Sequence, residues 1–274
     1  MTGKRSAHAR FPEVIAAAVR VFASDGYRAA HMTDVAREAG LSEAALYRYV
    51  NGKEDLFVLA IRHALLLEPL PGEDDPAGGF PLKAPSLDEM IRQARDYVAA
   101  EVPFGALAKA LRTADSHDPY AELSLITREL FTLEEQTAQA ADMIERSARE
   151  LPELADLLNT GLRRPVLDAL TQYLDSRAKT GRLRATPDTA ATARLVLETL
   201  TWFARHRHSD PYGAAIPSAL AQETAVDALL HALVPPQYLQ AEHPPAEHLP
   251  AEHLPAEREQ LPAQDQRDQP GERP

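Results

Sequence analysis

Tyr47, Arg48 and Tyr49 stand side by side, and Lys53 follows four residues later. A tyrosine hydroxyl donates to a phosphate while its ring lies along a sugar, and Arg and Lys neutralise phosphates, so this short stretch carries chemistry suited to a phosphodiester backbone. Immediately upstream are Ser42, Glu43, Ala44 and Ala45. An alanine methyl can sit against thymine C5-methyl, and Glu43 could accept from cytosine N4, which is base-edge chemistry in a major groove. The other reading of these residues is that Tyr47 and Tyr49 pack in a core while Arg48 and Lys53 are merely solvated.

A second cluster, His206, His208 and Asp210 in ARHRHSDPY, has metal-ligand side chains and supports an alternative reading, a helical metal-binding protein or metalloenzyme. Positions i and i+2 point to different sides of a helix, however, and Asp210 precedes Pro211, where a helix should be ending. A polar helix terminus, with cations near the negative end of the dipole, accounts for the same residues. His243, His248 and His253 recur in a five-residue repeat, AEHPP-AEHLP-AEHLP, whose Pro spacing forbids a continuous helix. There is no cysteine, no Gly-rich phosphate loop, no HExxH and no Ser-centred nucleophile elbow. The expectation is a non-enzyme without metal or cofactor.

The elements that must position these residues are helical. Phe11, Ile15, Ala18 and Phe22 repeat at helical spacing towards Gly26, where a left-handed conformation can end the helix. Two short helices fit 32–39 and 43–50, their inner faces being Val35, Ala36 and Ala39, then Leu41, Leu46 and Val50. Gly40 allows the sharp turn, and Ser42 is a good N-cap for the second helix. That pair is a helix-turn-helix. A further helix fits 53–67, and the Pro/Gly-rich segment 69–86 reads as a connection. Beyond it, patterns cover 87–114 with a kink at Pro103, 120–151, 152–158, 163–180, 187–206 and 217–234. No strand-like alternation interrupts them, so the fold class is all-α.

Charge is unevenly spread over the 274 residues and net charge of -12. Residues 1–62 hold nine Lys/Arg against seven Asp/Glu, and the remainder holds twenty against thirty-four. A near-neutral head on an acidic body is the asymmetry expected when only one end meets a polyanion. The division expected is a helix-turn-helix domain at 1–60, a larger helical domain at 61–235, to which the resemblance described next gives ligand binding and dimerisation, and a disordered Pro/Glu/His-rich tail at 236–274. No apolar run suffices to cross a membrane. Cytoplasm is the expected location.

Asp34-Val35-Ala36, Ala39-Gly40-Leu41-Ser42, Leu46-Tyr47-Arg48-Tyr49-Val50 and Lys53-Glu54-Asp55-Leu56 together resemble the DNA-binding domain of the TetR family of bacterial transcriptional regulators. The resemblance covers about the first 60 residues. It implies that Glu43, Ala44 and Ala45 face bases, that Tyr47, Tyr49 and Lys53 hold the backbone, and that Thr33 touches phosphate. His31 departs from it, standing where the family usually has Ser or Thr to cap the second helix, although an imidazole can still accept from a backbone amide.

For the rest of the chain the resemblance implies a homodimer on a palindromic double-stranded DNA operator, acting as a repressor released by a small-molecule effector. The patterns at 187–206 and 217–234 are compatible with half of a four-helix dimer bundle, through Ala193, Leu197, Leu200 and Ala204 and through Ala221, Ala225, Leu229 and Leu233. Tyr97, Phe104, Phe131, Met143, Tyr173 and Trp202 are the large side chains expected around an effector pocket.

Overall fold

A computed structural model describes residues 7–67, 79–100, 104–113 and 118–239. Among them all regular structure is helical, apart from one isolated bridge between Val50 and Leu82, and the fold is all-α as expected.

Helix α1 (Ala7–Ala29) buries Phe11, Val14, Ile15, Ala18 and Phe22, the face its spacing marks out. It breaks at Gly26, whose φ of 75° and ψ of 176° suit glycine alone. Helices α2 (Met32–Glu38), α3 (Glu43–Leu46) and α4 (Lys53–Ala64) follow at short intervals. Helix α5 (Leu87–Ala99) starts at Ser86, whose hydroxyl accepts from the Glu89 amide at 3.2 Å. Next come α6 (Gly105–Arg112), α7 (Pro119–Gln136), α8 (Ala138–Ser147) and α9 (Pro152–Asp156). A π-helical turn, Leu157–Arg163, joins α9 to α10 (Arg164–Lys179). Helix α11 (Thr189–Ala204) runs into a 3-10 turn (His206–Ser209), and α12 (Ser218–Leu233) and α13 (Pro236–Leu239) close the described chain. Asp118 and Asp188 cap α7 and α11 by accepting from the Ala121 and Ala191 amides at 2.9 and 2.8 Å.

Several boundaries differ from the sequence expectation. The 87–114 pattern forms two helices, with Pro103 outside the described residues. The 120–151 pattern breaks at Thr137, whose hydroxyl donates to the Leu133 carbonyl at 2.7 Å and helps close the last turn of α7. Conversely, the expected gap at 159–162 is bridged by the π turn. Residues 79–86 are non-helical as a connection should be, while the first part of that connection, 68–78, lies outside the described residues. The helical chain also reaches Leu239, past the expected tail boundary at 236, with Tyr238 accepting from Arg182 at 3.2 Å. His243, His248 and His253 lie outside the described residues.

Two apolar cores result. The first joins α1 to α4 with Met90, Ile91 and Ala94 of α5, Ala140, Met143 and Ile144 of α8, and Leu154 and Leu157, so it continues well beyond residue 60. The second gathers α6, α7, α10, α11 and α12. Ala193, Leu197, Leu200, Ala204, Ala221, Ala225, Leu229 and Leu233 all belong to this second core and are buried within their own chain. They are therefore not the dimer face proposed for them; helical spacing identifies an apolar face without saying which neighbour covers it. The large apolar side chains left outward on these helices are Leu195, Trp202 and Leu220, at 59%, 38% and 49% exposure. No described helix is long and apolar enough to cross a membrane.

Candidate nucleic-acid interface and cavity

Gly40, at φ 64°, reverses the chain between α2 and α3, and the Leu41 amide returns to the Ala36 carbonyl at 2.7 Å. Arg10 reaches across from α1 and donates to the Ala39 and Gly40 carbonyls at 3.3 and 3.1 Å, and Arg20 bonds Glu38 at 2.7 Å. The turn is thus pinned from α1 by two arginines. Ser42 caps α3 by accepting from the Ala45 amide at 3.2 Å. Residues 47–49 continue α3 as a tighter turn, the Arg48 and Tyr49 amides bonding three residues back to Ala45 and Leu46. This tightening sends Tyr47 and Arg48 outward and Tyr49 inward.

A cavity lies where α4, α5, α7, α8, α10 and α11 converge, occupying about 850 Å³ with its mouth included. Leu65 and Leu67, just past α4, form part of its wall with Tyr97, Phe104, Leu158 and Leu197. Its polar members are Glu134, Thr137, Arg163, Thr201 and Arg205. Tyr97 and Leu133 also border an outer groove with Leu66, Leu125 and Arg128, so they separate the cavity from the surface.

Residues 14–60 match the family model described as bacterial regulatory proteins, tetR family. The N-terminal domain is that of a TetR-family transcriptional regulator. No curated protein matches the chain in sequence. Among solved structures it is similar to the TetR-family regulator PfmR of Thermus thermophilus, at 22% identity and TM-score 0.48 over 80% of this chain and 97% of that one. It is also similar to a TetR-family regulator of Mesorhizobium loti, at 17% and 0.45 over 85% and 100%. A third likeness is to AibR in complex with isovaleryl coenzyme A and operator DNA, at 16% and 0.47 over 81% and 98%.

In this TetR-family head, Thr33, Ser42, Glu43, Ala44, Tyr47 and Arg48 are exposed and Ala45 is half-buried. The Arg48 guanidinium has no hydrogen bond or ion pair among the described residues. Tyr49 corrects the outward placement expected for it: its ring packs 6.2 Å from Phe11 and 5.2 Å from Phe80, and it is only 6% exposed. Lys53 is half-buried, donating to the Arg28 carbonyl at 3.1 Å and lying 4.8 Å from the Tyr27 ring centre. Burial pushes its ammonium below the usual lysine range, against the Glu150 carboxylate, which raises it. His31 begins α2 without any side-chain capping bond, so its imidazole does not replace the missing hydroxyl. Arg10 and Arg20 were missed, because nothing in the sequence marks which arginine of α1 meets the turn.

Of the six side chains expected around the pocket, Tyr97 and Phe104 line it. Phe131 and Tyr173 are buried in the second core and Met143 in the first, while Trp202 is turned outward against Phe203. His206, His208 and Asp210 do not converge as ligands. His208 Nε2 accepts from Arg207, Asp210 accepts from the Tyr212 and Gly213 amides at 2.8 Å, and no group of three potential metal ligands occurs among the described residues.

Glu134 gives the cavity a titration signature. Desolvation holds its carboxyl above the ordinary range, although Thr201, Arg163 and Arg205 each pull it down. The folded protein therefore holds this proton more tightly than the unfolded chain, and the associated stability is lost as pH rises through the raised value. Urea unfolding from about pH 4 to about pH 7 should show wild type losing stability relative to Glu134→Gln. Parallel curves for the two proteins would refute this.

Proposed function

We propose that the chain is a homodimeric, TetR-like repressor that grips a palindromic double-stranded DNA operator with α2 and α3 and lets go when a small molecule enters the cavity beside α4. The observation that carries this reading is the exposed Arg48, unpaired among the described residues, beside exposed Tyr47 at the end of a pinned helix-turn-helix inside the matched segment. Glu43, Ala44 and Ala45 face bases; Tyr47, Arg48, Thr33 and Ser42 hold phosphates. Lys53 has donors to spare beyond the Arg28 carbonyl, and its first duty is to tie α4 to the end of α1. No catalytic role is assigned, and the protein works where DNA is, in the cytoplasm.

The outward Leu195, Trp202 and Leu220 supply the apolar surface for a two-fold contact between copies, which would set two heads about 34–36 Å apart. Coupling runs through two elements. Leu65 and Leu67, which follow directly on α4, line the cavity while α4 begins a few residues after α3, and α8 lines it at Ala141 and Ile144 while its Ser147 hydroxyl accepts from the Tyr27 amide at 2.9 Å. A ligand shifts this arrangement only by as much as it prefers one state over the other.

Selection from a random duplex pool tests the reading, with wild type beside Tyr47→Ala and Arg48→Ala at several salt concentrations. Wild type should enrich a palindrome, and Arg48→Ala should weaken binding on every sequence and lower the salt slope by about one. Enrichment of nothing by wild type would sink it.

A further inference from the structure

Glu134, the one carboxylate in the cavity lining, has no guanidinium bonded to it among the described residues. Arg205 gives four hydrogen bonds of 2.6–3.1 Å to Asp142 and Glu145. Arg163 bonds Glu198 at 2.7 Å, and Arg194 holds the same carboxylate at 2.9 Å. Both cavity arginines are thereby committed to acids other than Glu134, beside which stands the Thr201 hydroxyl. Thr201 Oγ1 is itself buried with no well-formed hydrogen bond. The surrounding wall, Leu65, Phe104, Leu133, Leu158 and Leu197 among it, is apolar.

Three ligand classes can be compared against this arrangement. An anion would meet Arg163 and Arg205 in the wall, but both are already paired with acids outside the lining, and Glu134 would repel it. A neutral apolar molecule would cover Glu134 and leave its carboxyl group desolvated without a partner, which is costly. A basic nitrogen would supply a cation bonded directly to Glu134, on which Arg163 and Arg205 act only through space, and its N–H groups could bond both Glu134 and the Thr201 oxygen.

We propose that the cavity takes an amphipathic amine, its apolar body against Phe104 and Leu197 and its protonated nitrogen on Glu134 and Thr201. This rests on the reading of the cavity as the effector site and names the effector's chemical class.

Calorimetric titration of the full chain with octylamine, 1-octanol and octanoate, three molecules of one length and different head groups, tests it. Wild type should bind octylamine about 30-fold more tightly than octanol or octanoate, the scale of a desolvated charge pair. Glu134→Gln should bind octanol at least as tightly as wild type does, showing an intact cavity, while losing the octylamine preference. Octanoate binding as tightly as octylamine, or an octylamine preference surviving in Glu134→Gln, would overturn the amine and leave the cavity's effector role standing. If none of the three binds, both the amine and the effector cavity are overturned.

Discussion

Replacing Arg177 with Met should lower the unfolding free energy by about 3–5 kcal/mol, because it strands the partners of a buried charge. Arg177, only 2% exposed, bonds both Glu122 oxygens at 2.8 and 3.1 Å and the carbonyls of Ala110 and Thr113 at 2.8 and 3.2 Å. It therefore neutralises an acid at the start of α7 and, from α10, adds a charged donor to carbonyls at the end of α6, that of Ala110 accepting also from the Thr113 amide at 3.3 Å. A cation in that place also opposes the negative end of the helix dipole. Its guanidinium further covers the ring of Tyr173, 5.3 Å from the ring centre, whose phenol is held far above its usual range by burial first and by Glu122 next. In a chain of this size the loss corresponds to a fall of roughly 10 °C in Tm. Adding Glu122→Leu should restore part of it, since removing both charges is tolerated better than orphaning one. A single substitution costing under about 1 kcal/mol would show that water reaches the pair and that it resembles a surface bridge.

Gly26→Ala should cost about 1–3 kcal/mol from backbone conformation alone, since φ 75° with ψ 176° is essentially closed to other residues. The added Cβ would also meet the Arg146 carbonyl oxygen at 3.2 Å, against the end of α8. That junction carries the Tyr27-to-Ser147 hydrogen bond, so relieving the crowding moves the head relative to the helix that lines the cavity. Weaker operator binding, a smaller response to effector and a lower Tm should appear together. Ser147→Ala, which removes only the acceptor, should cost about 1 kcal/mol and leave α1 otherwise in place. If Gly26→Ala destabilises the protein yet keeps the full effector response, coupling does not pass through this contact and α4 carries it alone.

The reading head was largely legible because its signals are local. Gly40 and Ser42 mark a turn and a cap, and the helical spacing of α1 is carried by large residues that can only be core. Tyr49 escaped because its direction depends on a tight turn after Leu46 and on Phe80, which arrives from a segment about thirty residues away. The body was legible as helices but not as a container. No residue announces the break at Thr137 or the π turn that brings Leu158, Leu162 and Arg163 to the cavity. Glu134 reads as one more acid on an amphipathic helix until its neighbours are known. Apolar size was also a poor guide to pocket lining, since Phe131, Met143 and Tyr173 fill cores as well as they could have faced a ligand.

The segment after residue 78 bears on how this head could be transplanted. Phe80 packs against both Phe11 and Tyr49, the Leu82 amide bonds the Tyr49 carbonyl at 2.7 Å, and the Ala84 amide bonds Asp55 at 3.0 Å. A chimera spliced after residue 60 would expose the rings behind the recognition turn and lose these three fastenings at once. The portable unit runs at least to Ser86, and because the same core takes in Met90 and Ile91 of α5 and Ala140, Met143 and Ile144 of α8, an exchange of specificities between regulators of this kind must match those faces too.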